Sequence, residues 1–221
     1  MPDRYLLSLD IDEAPLQDIR ASGRRLVIAK HRPGCLPEII WLTVEPTGCD
    51  IIAWHETYGL YAAAPGLAAG GAIAVDCALE RTVDRAIYPY SGRAFGAPYY
   101  DQHVLRGHYD VHNRSHAVAT LGLLQAARVN GRIFRFPVNA VAVPADWTAD
   151  FTALTALSVW VQADVESGSV AALPALWTTI VFTADRRTAR YRYDVLESRL
   201  VPSQSTRNRA KEHGFEDTTS H

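Results

Sequence analysis

Four of the eight histidines fall within fourteen residues, at His103, His108, His112 and His116. On a strand, side chains alternate between faces. Arg106, His108, Asp110 and His112 then share one face, and Leu105, Tyr109 and Val111 share the other. A row of imidazole, carboxylate and imidazole suits acid–base chemistry, with His108 or His112 moving the proton and Asp110 orienting the ring. It also offers metal donors. His108-x-Asp110 resembles part of a two-histidine, one-carboxylate set with His112, His55 or His103 as third ligand, and zinc on His108 and His112 is equally open. The bland alternative is a solvated strand face opposite a buried one.

A second candidate is Trp54-His-Glu56-Thr-Tyr58-Gly-Leu60. Read as part of one strand over residues 51–62, it puts Ile52, Trp54, Glu56, Tyr58 and Leu60 on one face. A carboxylate flanked by Trp and Tyr on an inward face has its pKa raised by desolvation, which prepares it as a general acid or base. If that strand lies at an edge instead, Glu56 reaches water or an arginine. A third group is aromatic: Tyr88, Tyr90, Phe95, Tyr99, Tyr100 and Trp147, around a Gly/Pro-rich stretch. Such a loop suits a lid over a pocket or a sugar-stacking surface, or is pinned down by its own rings.

The elements that must position these groups follow period two, not 3.6. Val75, Cys77 and Leu79 alternate with Asp76 and Ala78; Leu157, Val159 and Val161 with Ser158, Trp160 and Gln162; Tyr191, Tyr193 and Val195 with Arg192 and Asp194. Asn130-Gly131 marks a type I′ hairpin, whose two central residues need positive φ. The turns at 32–37, 45–48 and 185–188 read as further hairpins. Residues 117–128 have high helix propensity, but the Asn-Gly turn behind them favours a strand. Residues 150–154 suit a short helical turn. About a dozen strands punctuated every eight to twelve residues predict an all-β fold, a sandwich, jelly roll or barrel-like domain over residues 1–201. Residues 202–221 read as a flexible polar tail with one large apolar residue, Phe215.

Composition narrows the function classes. A chain of 221 residues with 48% hydrophobic and 21% charged residues supports a full core without staples. The net charge of -2 gives no footprint for nucleic acid. Three cysteines, Cys35, Cys49 and Cys77, lack the spacing of a zinc ribbon or a disulfide framework. They read as free thiols in a reducing compartment, with a Cys35–Cys49 bridge as the alternative. Neither a signal sequence nor a membrane span is visible, so the expectation is a soluble cytoplasmic protein. No Gly-x-Ser-x-Gly elbow, phosphate loop or EF-hand spacing is present.

The reading that follows is a small-molecule-binding β protein, with a cofactor-independent isomerisation or cyclisation of an apolar substrate as its enzymatic form. Its expected catalytic groups are His108, Asp110, His112 and Glu56, and Trp54, Tyr58, Tyr109, Tyr99 and Tyr100 are expected to contact substrate within one shared cavity. No metal is assigned. Two alternatives are a lectin-like or toxin-like recognition module and a metal-dependent oxygenase or hydrolase using His108, Asp110 and His112. The substrate and the oligomeric state are not legible.

Overall fold

The computed structural model describes residues 4–203, apart from Leu173 and Ala175. Strands take up 51% of it and helix 5%, which makes the fold all-β and sandwich-like. Among the described residues, seventeen strands, numbered along the chain, form three sheets. The largest contains β1 (Arg4–Asp10), β4 (Cys49–His55), β5 (Gly59–Ala63), β6 (Val75–Leu79), β10 (Ala119–Val129), β11 (Arg132–Pro137), β12 (Val141–Val143), β16 (Thr188–Asp194) and β17 (Arg199–Pro202). Its order is β17-β16-β1-β4-β10-β5-β6, with β11 and β12 also on β10. The second sheet runs β13 (Thr148–Thr152), β9 (His108–Asn113), β7 (Ala86–Tyr90), β8 (Tyr99–Tyr100). The third runs β15 (Thr178–Val181), β14 (Ala156–Gln162), β2 (Arg25–His31), β3 (Ile40–Val44).

The main core draws on all three sheets. Leu7, Leu9, Ile52 and Trp54 come from the first, Tyr109 and Val111 from the second, and Leu26, Ile28, Leu157 and Val159 from the third. The stretch with helix propensity is the hub strand β10. Its long pairings with β4, β5, β11 and β12 override local preference. Asn130 and Gly131 close the β10–β11 hairpin at φ 48° and 87°, the two positive values a type I′ turn needs.

Several expectations are corrected. A helix, α1 (Glu13–Ala21), plugs the core with Leu16 and Ile19, a two-residue apolar face too sparse to show as a period. Residues 150–154 hold the end of strand β13, not a helical turn. The turn at 32–37 does join the paired strands β2 and β3. Those at 45–48 and 185–188 carry the chain between sheets instead: β3 pairs with β2 and β4 with β1 and β10, while β15 pairs with β14 and β16 with β1 and β17. The strand expected over 51–62 breaks into β4 and β5 at a bend where Thr57 N–H donates to the His55 carbonyl at 2.8 Å. All three cysteines are free thiols. Residues 204–221, most of the expected tail, lie outside the described residues. No helix among the described residues is long and apolar enough to cross a membrane.

Candidate functional site

The alternation along β9 separates two chemistries. Tyr109, Val111 and Asn113 are buried, and His108, Asp110 and His112 lie half-buried on the opposite face. Neighbours across a ladder share a face. Asp110 stands opposite Asp150, His112 opposite Thr148 and His108 opposite Thr152. On the other flank Asp110 pairs with Ile87, which pairs with Tyr99. The histidine row therefore continues into β13 and reaches Tyr99, whose ring lies 5.9 Å from the Arg114 guanidinium. His108 Nδ1 bonds both Asp150 carboxylate oxygens, at 2.8 and 2.9 Å. His112 Nδ1 bonds Thr148 Oγ1 at 2.9 Å.

Asp110 titrates abnormally in this setting. Burial, then the facing Asp150 carboxylate, push its pKa up to about 6, with His108 opposing. Asp110 so placed can hold or release a proton near neutral pH. Side-chain exposures of 25% for His108 and 52% for Asp150 leave the pair open to a solute. An ion pair this wet adds little to stability.

Asp150 also belongs to a cavity of about 170 Å³ between the β2–β3 loop and β13. Lys30, Arg32 and Glu38 form one wall, and Asp150, Phe151 and Leu154 another. Such a volume is close to the ~150 Å³ that admits a benzene-sized molecule and below the ~300 Å³ of drug-sized pockets.

Behind this wall lies a feature that the sequence reading missed. Lys30 is 2% exposed and follows Leu26 and Ile28 on the core face of β2. Its amine donates to Gln125 Oε1 at 2.6 Å. It lies 5.2, 5.4 and 5.5 Å from the ring centres of Trp41, Trp54 and Tyr58. A β-bulge helps build this cage. Ile28 pairs with Leu42 and Ala29 with Ile40, so Trp41 is the extra residue and faces the core beside Leu42. The Gln125 amide is fixed by donating to the His55 carbonyl at 2.9 Å, and its backbone carbonyl accepts from Trp41 Nε1 at 3.1 Å. Burial lowers the Lys30 pKa to about 8, and Glu56 pulls the other way. Desolvation outweighs the Glu56 charge, so roughly a tenth of the amine is unprotonated at pH 7. Tyr58 donates to Glu56 and accepts the Leu154 N–H at 3.0 Å. Burial first, then the Glu56 charge, hold its pKa well above the ordinary phenol value.

The candidate residues thus divide. Trp54, Glu56, Tyr58 and Tyr109 gather near Lys30, Tyr109 through a 5.5 Å ring contact with Tyr58 and a pKa that burial pushes up to about 12. His108, Asp110, His112 and Tyr99 lie across β9 from them. The expected single cavity for both sets is therefore corrected: Tyr109, which packs on Tyr58, points from β9 to the buried face, opposite to His108, Asp110 and His112. Trp54, Tyr58 and Tyr109 pack in the core and do not line the 170 Å³ cavity, so its wall is mixed rather than aromatic. The Gly/Pro-rich stretch expected as a lid, residues 91–98, is the loop between β7 and β8, and it is pinned by its own rings: Tyr88 and Tyr90 are buried in β7, and Tyr90 packs on Phe95 at 5.3 Å. Tyr100 and Trp147 are exposed.

Two signals for the missed residues were present. Leu26, Ile28 and Lys30 alternate into the core, and the chain carries two lysines against twenty arginines. Among the described residues, no three His, Cys, Asp or Glu side chains converge as metal ligands would. No protein-family model, curated protein or solved structure matches the chain.

Proposed function

We propose that the protein binds a compact polar molecule in the cavity beside the β2–β3 loop. On this reading it acts by acid–base chemistry, an isomerisation or ring closure in which His108, Asp110 and Asp150 relay the proton. The observation that carries this is the double membership of Asp150, which lines the cavity and also bonds His108 opposite Asp110. A positioned acid–base group of matched pKa contributes about 10²–10⁴-fold to a rate. His112, held by Thr148, and Tyr99 extend the same polar face.

Ligand-observed NMR with a library of compact acids, carbonyl compounds and polyols tests this, repeated on Asp150→Asn and His108→Gln. Ligands that bind the parent chain and lose at least tenfold in affinity in both variants, at unchanged Tm, support it. Ligands that bind both variants as they bind the parent overturn it. The exposure of Tyr100 (73%) and Trp147 (66%) favours a second reading, a recognition surface for sugars. Polyol hits that depend on those rings alone would replace the first reading with that one.

A further inference from the structure

Twenty arginines and two lysines are an unusual division of cationic side chains, and one of the two lysines, Lys30, is wholly buried. The difference is chemical. A guanidinium keeps its proton in any protein environment, whereas an ammonium in a desolvated cage releases it and becomes a nucleophilic amine. The cage is built for such a group. It has three aromatic rings, a single carbonyl acceptor from Gln125, and the hydrogen-bonded Tyr58–Glu56 pair close by. Lys30 also contributes to the cavity wall. Leu154 links the two places, lining the cavity and donating its N–H to Tyr58. Arg32, on the same cavity, makes no side-chain hydrogen bond or ion pair with the described residues and is exposed.

We propose that Lys30 condenses reversibly with a compact oxo acid held in this cavity, its amine joining the carbonyl carbon while Arg32 pairs with the carboxylate. The inference rests on the cavity being a ligand site. The step requires the amine to leave Gln125 by rotation about the lysine stem and turn toward the cavity that Lys30 lines. The neutral amine attacks the carbonyl carbon, and the C=O π pair moves to oxygen and takes a proton. Nitrogen loses a proton to give a carbinolamine. The hydroxyl then leaves with a further proton as water, the nitrogen lone pair forms C=N, and nitrogen gives up its remaining proton, which replaces the one the hydroxyl took. One amine and one carbonyl give one imine and one water, with no oxidant or reductant. Tyr58 and Glu56 lie on the amine side of the wall, where they can pass these protons. The cavity volume of about 170 Å³ limits the ligand to a few carbons.

Reductive trapping tests this on the full chain. Glyoxylate is added at pH 8 with sodium cyanoborohydride, and the modified amines are mapped by peptide mass spectrometry. Lys30, Lys211 and the α-amine are the only amines to be distinguished. The expected result is modification of Lys30 at least tenfold faster than Lys211, half-maximal near pH 8. Acetaldehyde, which lacks the carboxylate, should show that preference much less, and Arg32→Gln should remove the advantage of glyoxylate over it. A lysine that only fills the core would be the slowest amine in the chain and would react only in urea, which overturns the proposal. The mapping uses the unmodified sequence, so it does not depend on whether Lys30 variants fold. Glyoxylate or pyruvate binding at the cavity by NMR without a Lys30 adduct defeats this inference alone. Absence of both binding and adduct, together with no cavity ligand in the wider library, defeats it and the proposed function together.

Discussion

Lys30→Met keeps most of the buried volume of the side chain and removes its titration, so stability against pH reads the lysine environment directly. The folded pKa of about 8 lies below the ordinary 10.5. Between those values the unfolded chain binds more protons than the native one, and native stability rises with pH. The whole window is worth about 3 kcal/mol at 1.36 kcal/mol per unit. Between pH 7 and pH 9.5 the rise is about 2 kcal/mol, from the proton-binding difference at the two ends. At pH 7 itself the variant should be about as stable as the parent. Relief from a buried charge, ~3 kcal/mol, is set against loss of the donor to Gln125, ~1–3 kcal/mol, and of the ring contacts.

Urea denaturation of both chains at pH 7.0, 8.0, 9.0 and 9.5 measures the difference, with Trp41 and Trp54 as fluorescent reporters beside the amine. Stability of the parent minus that of the variant should climb by about 2 kcal/mol across the series. Stopping at pH 9.5 keeps the buried phenols silent. Burial raises Tyr58 and Tyr109, so their ionisation on unfolding lowers stability above about pH 10, the opposite sense. A flat difference would mean that the amine keeps a pKa at or above its ordinary value, with water in the cage or Glu56 dominating as an ion-pair partner, and would refute the reasoning from burial.

Three further outcomes are expected. Asp110, with a folded pKa raised to about 6, contributes stability that is full below the unfolded value and lost as pH rises through 6; Asp110→Asn should therefore gain about 1 kcal/mol at pH 7, discounted for partial exposure, and nothing at pH 3.5 by chemical denaturation. At Gly122→Ala the new Cβ would lie 2.3 Å from the Asn139 carbonyl oxygen and 2.6 Å from Tyr61 Cε1, so the variant should lose more than ~3 kcal/mol or fail to fold, read as Tm. Asn130→Ala places alanine at φ 48° and deletes bonds to Ile51 N–H and buried Asp50, so it should cost about 2 kcal/mol in urea with an unchanged m-value; equal stability would show that the turn does not hold the hairpin.

The fold class was legible because half-buried strands announce themselves locally, as Tyr191 and Tyr193 or Leu157 and Val159 do. The Asn130-Gly131 turn carries its own backbone requirement and needs no tertiary context. Sheet partners are another matter. The turns at 45–48 and 185–188 have the right residues to reverse or redirect a chain, but nothing local says which sheet the next strand joins. Helix α1 was hidden because its core face consists of Leu16 and Ile19 alone. The break at Glu56 was hidden because Ile52, Trp54, Tyr58 and Leu60 keep the alternation of a continuous strand across it.

The candidate site shows the same boundary between local and non-local information. Alternation along β9 placed His108, Asp110 and His112 on one face and Tyr109 and Val111 on the buried one, and those groupings depend only on the strand being a strand. Asp150 could not be found this way, since cross-strand register comes from the whole sheet. Yet Asp150 changes what the row can do. Like charges directly opposite on a ladder destabilise it, and here two carboxylates face each other with an imidazole bonded to one of them. The pair therefore works against the ladder that holds it. A structural role would be served better by a threonine at either position, as the ladder already uses at Thr148 and Thr152. On the function proposed above, the proton shared among these groups is put to use, and the cavity that Asp150 lines is the adjacent place for that use.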